Sequence, residues 1–235
     1  MQKIIMAKIG KWLAAQQNSF LIDGLSSERQ NKVGKYIFEA DKQRCILGEL
    51  LLKYLLLKYY KIIDYQLDYN QYGKPCLREF SNVFFNISHA GQWVVCVLGN
   101  QEVGVDIEQV SINMDLQEWD KISKYFMSDK EHYLIRELPV EKRKKASCSY
   151  WTQKEAFSKC IGVGNSIYDN FRFTLDDSKI LRYDEKNYYF ECYDIDNNHE
   201  MCVCTEGQSP NNTYLILPAQ KLIDYLKKHF YYTHV

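Results

Sequence analysis

Residues 103–108 read Val-Gly-Val-Asp-Ile-Glu, a strict alternation of apolar residues with glycine or acid. A period of two is a strand signature, because successive side chains leave a β-strand on opposite faces. Val103, Val105 and Ile107 therefore share a packed face, and Gly104, Asp106 and Glu108 share the other. That constrains the fold sharply: one side must meet a hydrophobic layer while the other presents two carboxylates. Gly104 is expected to leave room beside them for a bulky ligand. A second pattern answers the first. In the run from Trp151 to Lys159 the spacing is helical, so Glu155 and Lys159, four apart, lie on one face. Trp151, Lys154, Glu155, Ser158 and Gly162 form the stripe that would ordinarily meet a core. Charged groups on such a stripe need partners. Three acids beside lysines suit a hard divalent cation next to a phosphorylated ligand; an internal salt bridge is the plainer alternative.

Around this pair the chain reads as helices followed by strands, twice. Residues 26–38 form a polar-faced helix. Asp41 is expected to cap a longer helix over 42–60, with Ile46, Leu47, Leu50, Leu51, Tyr54 and Leu55 facing inward. Strands are expected at 83–87, 93–98 and 102–107, the last two joined as a hairpin through Gly99 and Asn100. A helical zone over 116–160 contains a capping box, Ser128 to Glu131, and is stopped by Gly162 and Gly164. Strands at 171–175, 188–193, 200–204 and 214–217 precede a helix at 219–229. Turns rather than helices separate the strands, so the sheets should be antiparallel and the class α+β. With 4 prolines and 11 glycines and no linker-like stretch, two lobes, 1–110 and 111–235, should pack as one compact unit.

Lys and Arg balance Asp and Glu at 30 each, so nucleic acid and anionic membranes are not expected partners, and any anion site must be a local pocket. No run is apolar enough for an export signal or a spanning helix, which points to the cytoplasm. The 8 cysteines then read as reduced thiols, none in a Cys-x-x-Cys pair. Ser88 and His89, at a strand end, could contact a phosphate. Arg44 is placed in the first turn of its helix, where backbone N–H groups favour anions, and Arg29 and Lys32 lie on the preceding helix.

Four motifs in order, Tyr72 to Pro75, Phe85 to His89, Gly104 to Glu108 and Trp151 to Lys159, resemble the larger, surfactin-synthetase-activating (Sfp) type of 4′-phosphopantetheinyl transferase. The resemblance implies two similar α/β lobes related by a pseudo-two-fold, with the active site in the cleft between them. It implies transfer of the phosphopantetheine arm of coenzyme A to a serine of an apo acyl, peptidyl or aryl carrier protein, releasing adenosine 3′,5′-bisphosphate. Non-ribosomal peptide or polyketide synthesis would be the setting. By position, Asp106, Glu108 and Glu155 resemble the ligands of Mg²⁺, for which Mn²⁺ is a substitute. Lys154 and Lys159 resemble the lysines around the diphosphate. Tyr72, Gly73, Lys74 and Pro75 resemble the segment enclosing the adenine. Arg29, Lys32, Arg44 and His89 resemble the contacts to the 3′-phosphate, and Ser88 the contact on the α-phosphate side. Arg29 stands where a lysine is more usual, keeping the charge but changing its geometry. Glu155 is the expected base and Lys159 the leaving-group support. A monomer is expected, with residues 142–145 as a basic docking patch for the carrier. A metal-dependent phosphohydrolase or nuclease, and a silent binder of coenzyme A or carrier, are the alternatives.

Overall fold

The computed structural model describes residues 2–10, 19–110, 121, 123–164 and 172–231. The chain begins with strand β1 (Lys3–Lys8), short helices α1 (Ser19–Asp23) and α2 (Ser27–Lys35), and the long α3 (Glu39–Leu55), which continues as a π-helical turn to Tyr60. Five strands follow: β2 (Leu67–Tyr69), β3 (Pro75–Leu77), β4 (Phe84–Ala90), β5 (Trp93–Gly99) and β6 (Val103–Gln109). Helices α4 (Asp129–Glu137) and α5 (Val140–Ile161) lead to β7 (Ile180–Tyr183), β8 (Lys186–Asp196), β9 (His199–Glu206) and β10 (Leu215–Ile216). Helix α6 (Ala219–Leu226), with a π-helical extension, comes last.

Two four-stranded sheets dominate, ordered β10-β1-β5-β4 and β6-β9-β8-β7, with β2-β3 a small hairpin beside them. All pairings are antiparallel except β1 with β10. The mixed α+β class with mainly antiparallel sheets is as expected. β1, at the centre of the first sheet, had no counterpart in the sequence reading.

The sheets are stacked face to face. Trp93, Val95 and Val97 of β5, with Ile4 and Met6 of β1, meet Val103, Val105 and Ile107 of β6 and Met201 and Val203 of β9 in one apolar layer. The other face of β5 (Val94, Cys96, Leu98) packs under α3 and α6. The other face of β9 (Cys202, Cys204) packs under α5 with Phe157 and Cys160. The order is helix, sheet, sheet, helix, and β5 is apolar throughout because both of its faces are covered.

This stacking corrects the expected hairpin. β5 pairs with β4 and β1, whereas β6 joins the other sheet against β9. The apolar faces of β5 and β6 are buried against each other across the layer, which edge-to-edge pairing would not achieve. The chain also crosses back: β10 pairs with β1, and α6 covers α3. Three other expectations change. Helix α3 starts at Glu39 with Phe38 at its N-cap, so Asp41 sits inside the first turn and caps nothing. Residues 172–175 are irregular, and 171 lies outside the described residues, as do 116–120 and 122 of the helical zone. From Ser128 on, that zone is two helices, the first opened by the expected capping box of Ser128 and Glu131. Gly162 ends the second with φ 73°, a left-handed conformation that glycine takes without a Cβ penalty.

Candidate active site

β4 and β6 are the facing edges of the two sheets, and side chains join them in place of a backbone ladder. Asn86 Oδ1 accepts from the Val105 N–H at 3.0 Å, and Ser88 Oγ accepts from the Ile107 N–H at 3.3 Å. Asn86 and Ser88, two apart, must point the same way from a strand. The Ser88 hydroxyl donates to Asp106 Oδ1 at 3.0 Å and accepts from Lys159 Nζ at 3.2 Å. Lys159 also pairs with Asp106 Oδ1 at 2.5 Å. Asp106, Ser88 and Lys159, from two strands and a helix, thus form one hydrogen-bonded group at the seam.

The acids lie on the face of β6 that meets α5, as the alternation requires. Trp151 Nε1 donates to Glu108 Oε1 at 3.0 Å. Burial first, then the negative charge of Asp106 and, more weakly, of Glu155, raise the Glu108 carboxyl to about 7. Asp106 Oδ2 is buried without a hydrogen-bond partner. Among the described residues, no three acids, histidines or cysteines close into a ready coordination shell. An excess of negative charge and one orphaned carboxylate oxygen nevertheless suit a divalent cation. Mg²⁺ commonly takes only one or two carboxylates beside substrate phosphates. On this test Asp106, Glu108 and Glu155 fit such an ion.

Two expectations for this face are corrected. Gly104 offers no room for a ligand. A Cβ there would lie 2.1 Å from the Ala156 carbonyl oxygen and 2.3 Å from the Cys160 nitrogen. The absent side chain lets α5 press its backbone onto β6, and this close approach carries Glu155 and Lys159 to the seam. Lys154 does not reach the seam. Its side chain is 2% exposed and pairs with Glu131 Oε1 at 2.9 Å, donates to the Phe173 carbonyl and lies over the Phe173 ring. Glu131 Oε2 meanwhile closes the α4 capping box on the Ser128 N–H. The internal salt bridge is therefore what Lys154 makes, and burial lowers its pKa.

Two cavities flank the seam and share Gly73, Pro75, Asn86 and Ile87 in their walls. The first, about 260 Å³, is bordered by Arg29, Lys32, Arg44 and His89. Arg44 is in the second turn of α3, not the first, so the helix N-terminus does not act there. Its guanidinium instead bonds the Gly91 carbonyl at 2.8 Å and Asp41 at 2.6 Å. Arg29 is 3.4 Å from Glu49. His89 faces away from its neighbour Ser88, as successive strand residues must. Desolvation first, then the charge of Arg44, holds its imidazole below the usual value. The second cavity, about 200 Å³, is lined by Glu155, Ser158, Lys159 and the loop Tyr72 to Pro75.

That loop is the turn of the β2-β3 hairpin. Asn70 Oδ1 accepts from the N–H groups of Tyr72 and Lys74, and its Nδ2 donates to the Gly162 carbonyl at 2.7 Å. Asn70 thereby ties the loop to the end of α5. Lys74 Nζ is also spent on structure, bonding Glu102 and the Cys160 carbonyl. Tyr72 and Gly73 are the exposed part. Asn70 goes unread in the sequence, Asn86 is legible only as part of its motif and Glu131 only as a helix cap, although an asparagine before a Tyr-Gly turn is an Asx-turn signal, and Asn86 shares its strand face with Ser88. In the 142–145 patch, Lys145 pairs with Asp194 and Glu200, and Arg143 bonds two carbonyls.

The chain is similar to known proteins along most of its length. The profile of the 4′-phosphopantetheinyl transferase superfamily matches residues 102–214, and that of the 4′-phosphopantetheinyl transferase N-terminal domain matches 10–101. The chain is 29% identical over 202 residues to 4′-phosphopantetheinyl transferase Sfp of Bacillus subtilis (strain 168), covering 82% of this chain and 87% of that one. It is 31% identical over 169 residues to 4′-phosphopantetheinyl transferase gsp of Aneurinibacillus migulanus, covering 71% and 68%. To 4′-phosphopantetheinyl transferase psf-1 of Bacillus pumilus it is 29% identical over 209 residues, covering 86% and 88%.

Proposed function

The chain belongs to the 4′-phosphopantetheinyl transferase superfamily and is a transferase of the Sfp type, and from that premise we propose how its site works. The enzyme moves the phosphopantetheine arm of coenzyme A onto a serine of an apo acyl, peptidyl or aryl carrier protein, and adenosine 3′,5′-bisphosphate leaves. One observation carries this reading: two adjacent cavities share Gly73 and Pro75 in their walls. Arg29, Lys32, Arg44 and His89, with Glu28, border one, and Glu155, Lys159 and Lys74 the other. A nucleotide bearing a 3′-phosphate at one end and a diphosphate at the other suits that arrangement.

Arg29, Lys32, Arg44 and neutral His89 hold the 3′-phosphate by charge and hydrogen bonding. Tyr72, Gly73 and Pro75 enclose the adenine. Lys159, set by Asp106 and Ser88, stabilises the oxygen that departs with the bisphosphate. Glu155 takes the proton of the carrier serine, directly or through water, as the serine oxygen attacks the β-phosphorus. Asp106, Glu108 and Glu155 would hold Mg²⁺, which supplies charge neutralisation of the diphosphate. No serine of this chain needs to be the nucleophile.

The reading extends to the surroundings: peptide or polyketide synthesis, a cytoplasmic setting and a monomer. Among the described residues no helix is long and apolar enough to cross a membrane. The test is incubation with coenzyme A, Mg²⁺ and an apo carrier, followed by intact mass. A carrier heavier by one phosphopantetheine supports the proposal. An unmodified panel of peptidyl, acyl and aryl carriers overturns it, and release of product from simple phosphoesters without an acceptor would point to a hydrolase.

A further inference from the structure

On β8 and β9, behind the seam, Cys192 and Cys202 are direct cross-strand partners, and their Sγ atoms are 3.2 Å apart. That is too long for a bond and short enough that thiols already touch. A disulfide needs about 2.05 Å, with cross-strand Cα spacings within its accepted range. Side-chain rotation suffices to close the gap, with the backbone pairing retained.

The two sulfurs differ in access. Cys202 is fully buried under α5, whereas Cys192 is half-buried. Contact with Cys202 favours the Cys192 thiolate against the opposing effect of burial, with smaller help from the charge of Lys179 and a hydrogen bond from Gln153 of α5. The other cysteines lack this combination. Cys76 is exposed and its sulfur meets the Asp68 carbonyl, while Cys160 and Cys204 are both buried.

We propose that Cys192 and Cys202 form a dithiol site for a small hydroperoxide, closing to a cross-strand disulfide. The Cys192 thiolate attacks one oxygen of hydrogen peroxide, the O–O bond breaks, and Cys192 sulfenic acid and hydroxide result. The Cys202 sulfur then attacks the Cys192 sulfur, the S–O bond breaks and water leaves. In sum, two thiols and one peroxide give one disulfide and two waters, so peroxide is reduced and the cysteines oxidised. Access makes Cys192 the first to react and proximity makes Cys202 the resolving partner. Cys202 is also the register partner of Asp106, so the bridge would form one strand away from the acid group.

The test is stoichiometric hydrogen peroxide on the reduced full chain, read by intact mass and non-reducing peptide mapping. The expected product is lighter by about 2 Da, carries a Cys192–Cys202 cross-link and reverts with a dithiol reductant. Cys202→Ser should instead accumulate a dimedone adduct at Cys192, while Cys192→Ser should yield no cross-link. Retained phosphopantetheinyl transfer by each reduced variant shows that it is folded. Oxidation confined to Cys76, or no adduct at Cys192 in Cys202→Ser, overturns the proposal.

Discussion

The two ends of the site hold their charged groups differently. At the cation end, Arg29, Lys32, Arg44 and His89 come from α2, α3 and β4 around a cavity; half-buried Arg44 pairs with Asp41, half-buried Arg29 pairs with a buried Glu49 that also takes Lys53 and Ser26, and exposed Lys32 makes no ion pair among the described residues. At the acid end the groups share partners. Asp106 Oδ1 takes hydrogen bonds from both Ser88 and Lys159, and Ser88 also accepts from the Ile107 N–H within β6. Screened, independent charges contribute separately and modestly. Buried charges with common partners act as a unit, because the surrounding dielectric is low and removing one leaves the others unsatisfied. The exposed charge of the cation end, Lys32, should therefore be tolerant of change and the acid end intolerant.

The strongest attempt to break that contrast is Asp106→Ala or Glu155→Ala. Each should lower transfer to an apo carrier by roughly 10³-fold or more, with the fold intact by circular dichroism. Near-normal transfer by either would remove that residue from its assigned role. Two lysines on α5 come next. Lys154→Met leaves Glu131 buried and unpaired and should cost about 3–5 kcal/mol in denaturant unfolding. Lys159→Met, at a side chain 30% exposed, should abolish transfer while costing less stability than Lys154→Met, because solvent reaches the lysine side of its pair. Equal stability losses would show that the two lysines share one role.

A pH experiment probes the negative charge directly. With its folded carboxyl at about 7 and an ordinary value near 4.5, Glu108 favours the folded state most below the lower value. That contribution is lost as pH rises through 7. Metal-free protein should therefore lose stability relative to Glu108→Gln between pH 5 and 8, by the order of 1 kcal/mol or more, and Mg²⁺ should reduce the loss. Parallel pH curves for the two proteins would contradict it. The smallest effect is expected at the other end: Lys32→Ala should raise KM for coenzyme A roughly fivefold, less so in high salt, with kcat unchanged. A large fall in kcat there would erase the difference between the two ends.

Much of this was legible in residue order. The alternation at 103–108 placed Asp106 and Glu108 on the face opposite Val105, and helical spacing placed Glu155 with Lys159. Ser128 and Glu131 announced the start of α4, and Gly162 the end of α5. Less visible were relations that depend on what lies across a gap. Nothing local says that β6 abandons β5 for β9, that β10 returns to β1, or that Gly104 is filled by a helix backbone. Asn70 and Asn86 look like ordinary turn and strand residues until the N–H groups they satisfy come into place.

Periodicity along the chain is a property of the backbone, so the sequence alone determined which side chains share a face and which strands and helices carry them. Partners across the interior come from packing, and only the tertiary structure decided them. Lys154 and Lys159 show the division: both belong to one helix and one motif. The packing of α4 gives Lys154 a buried carboxylate, whereas the seam between β4 and β6 gives Lys159 to Asp106 and Ser88. A charge takes its role from whatever the fold brings within a few ångströms of it.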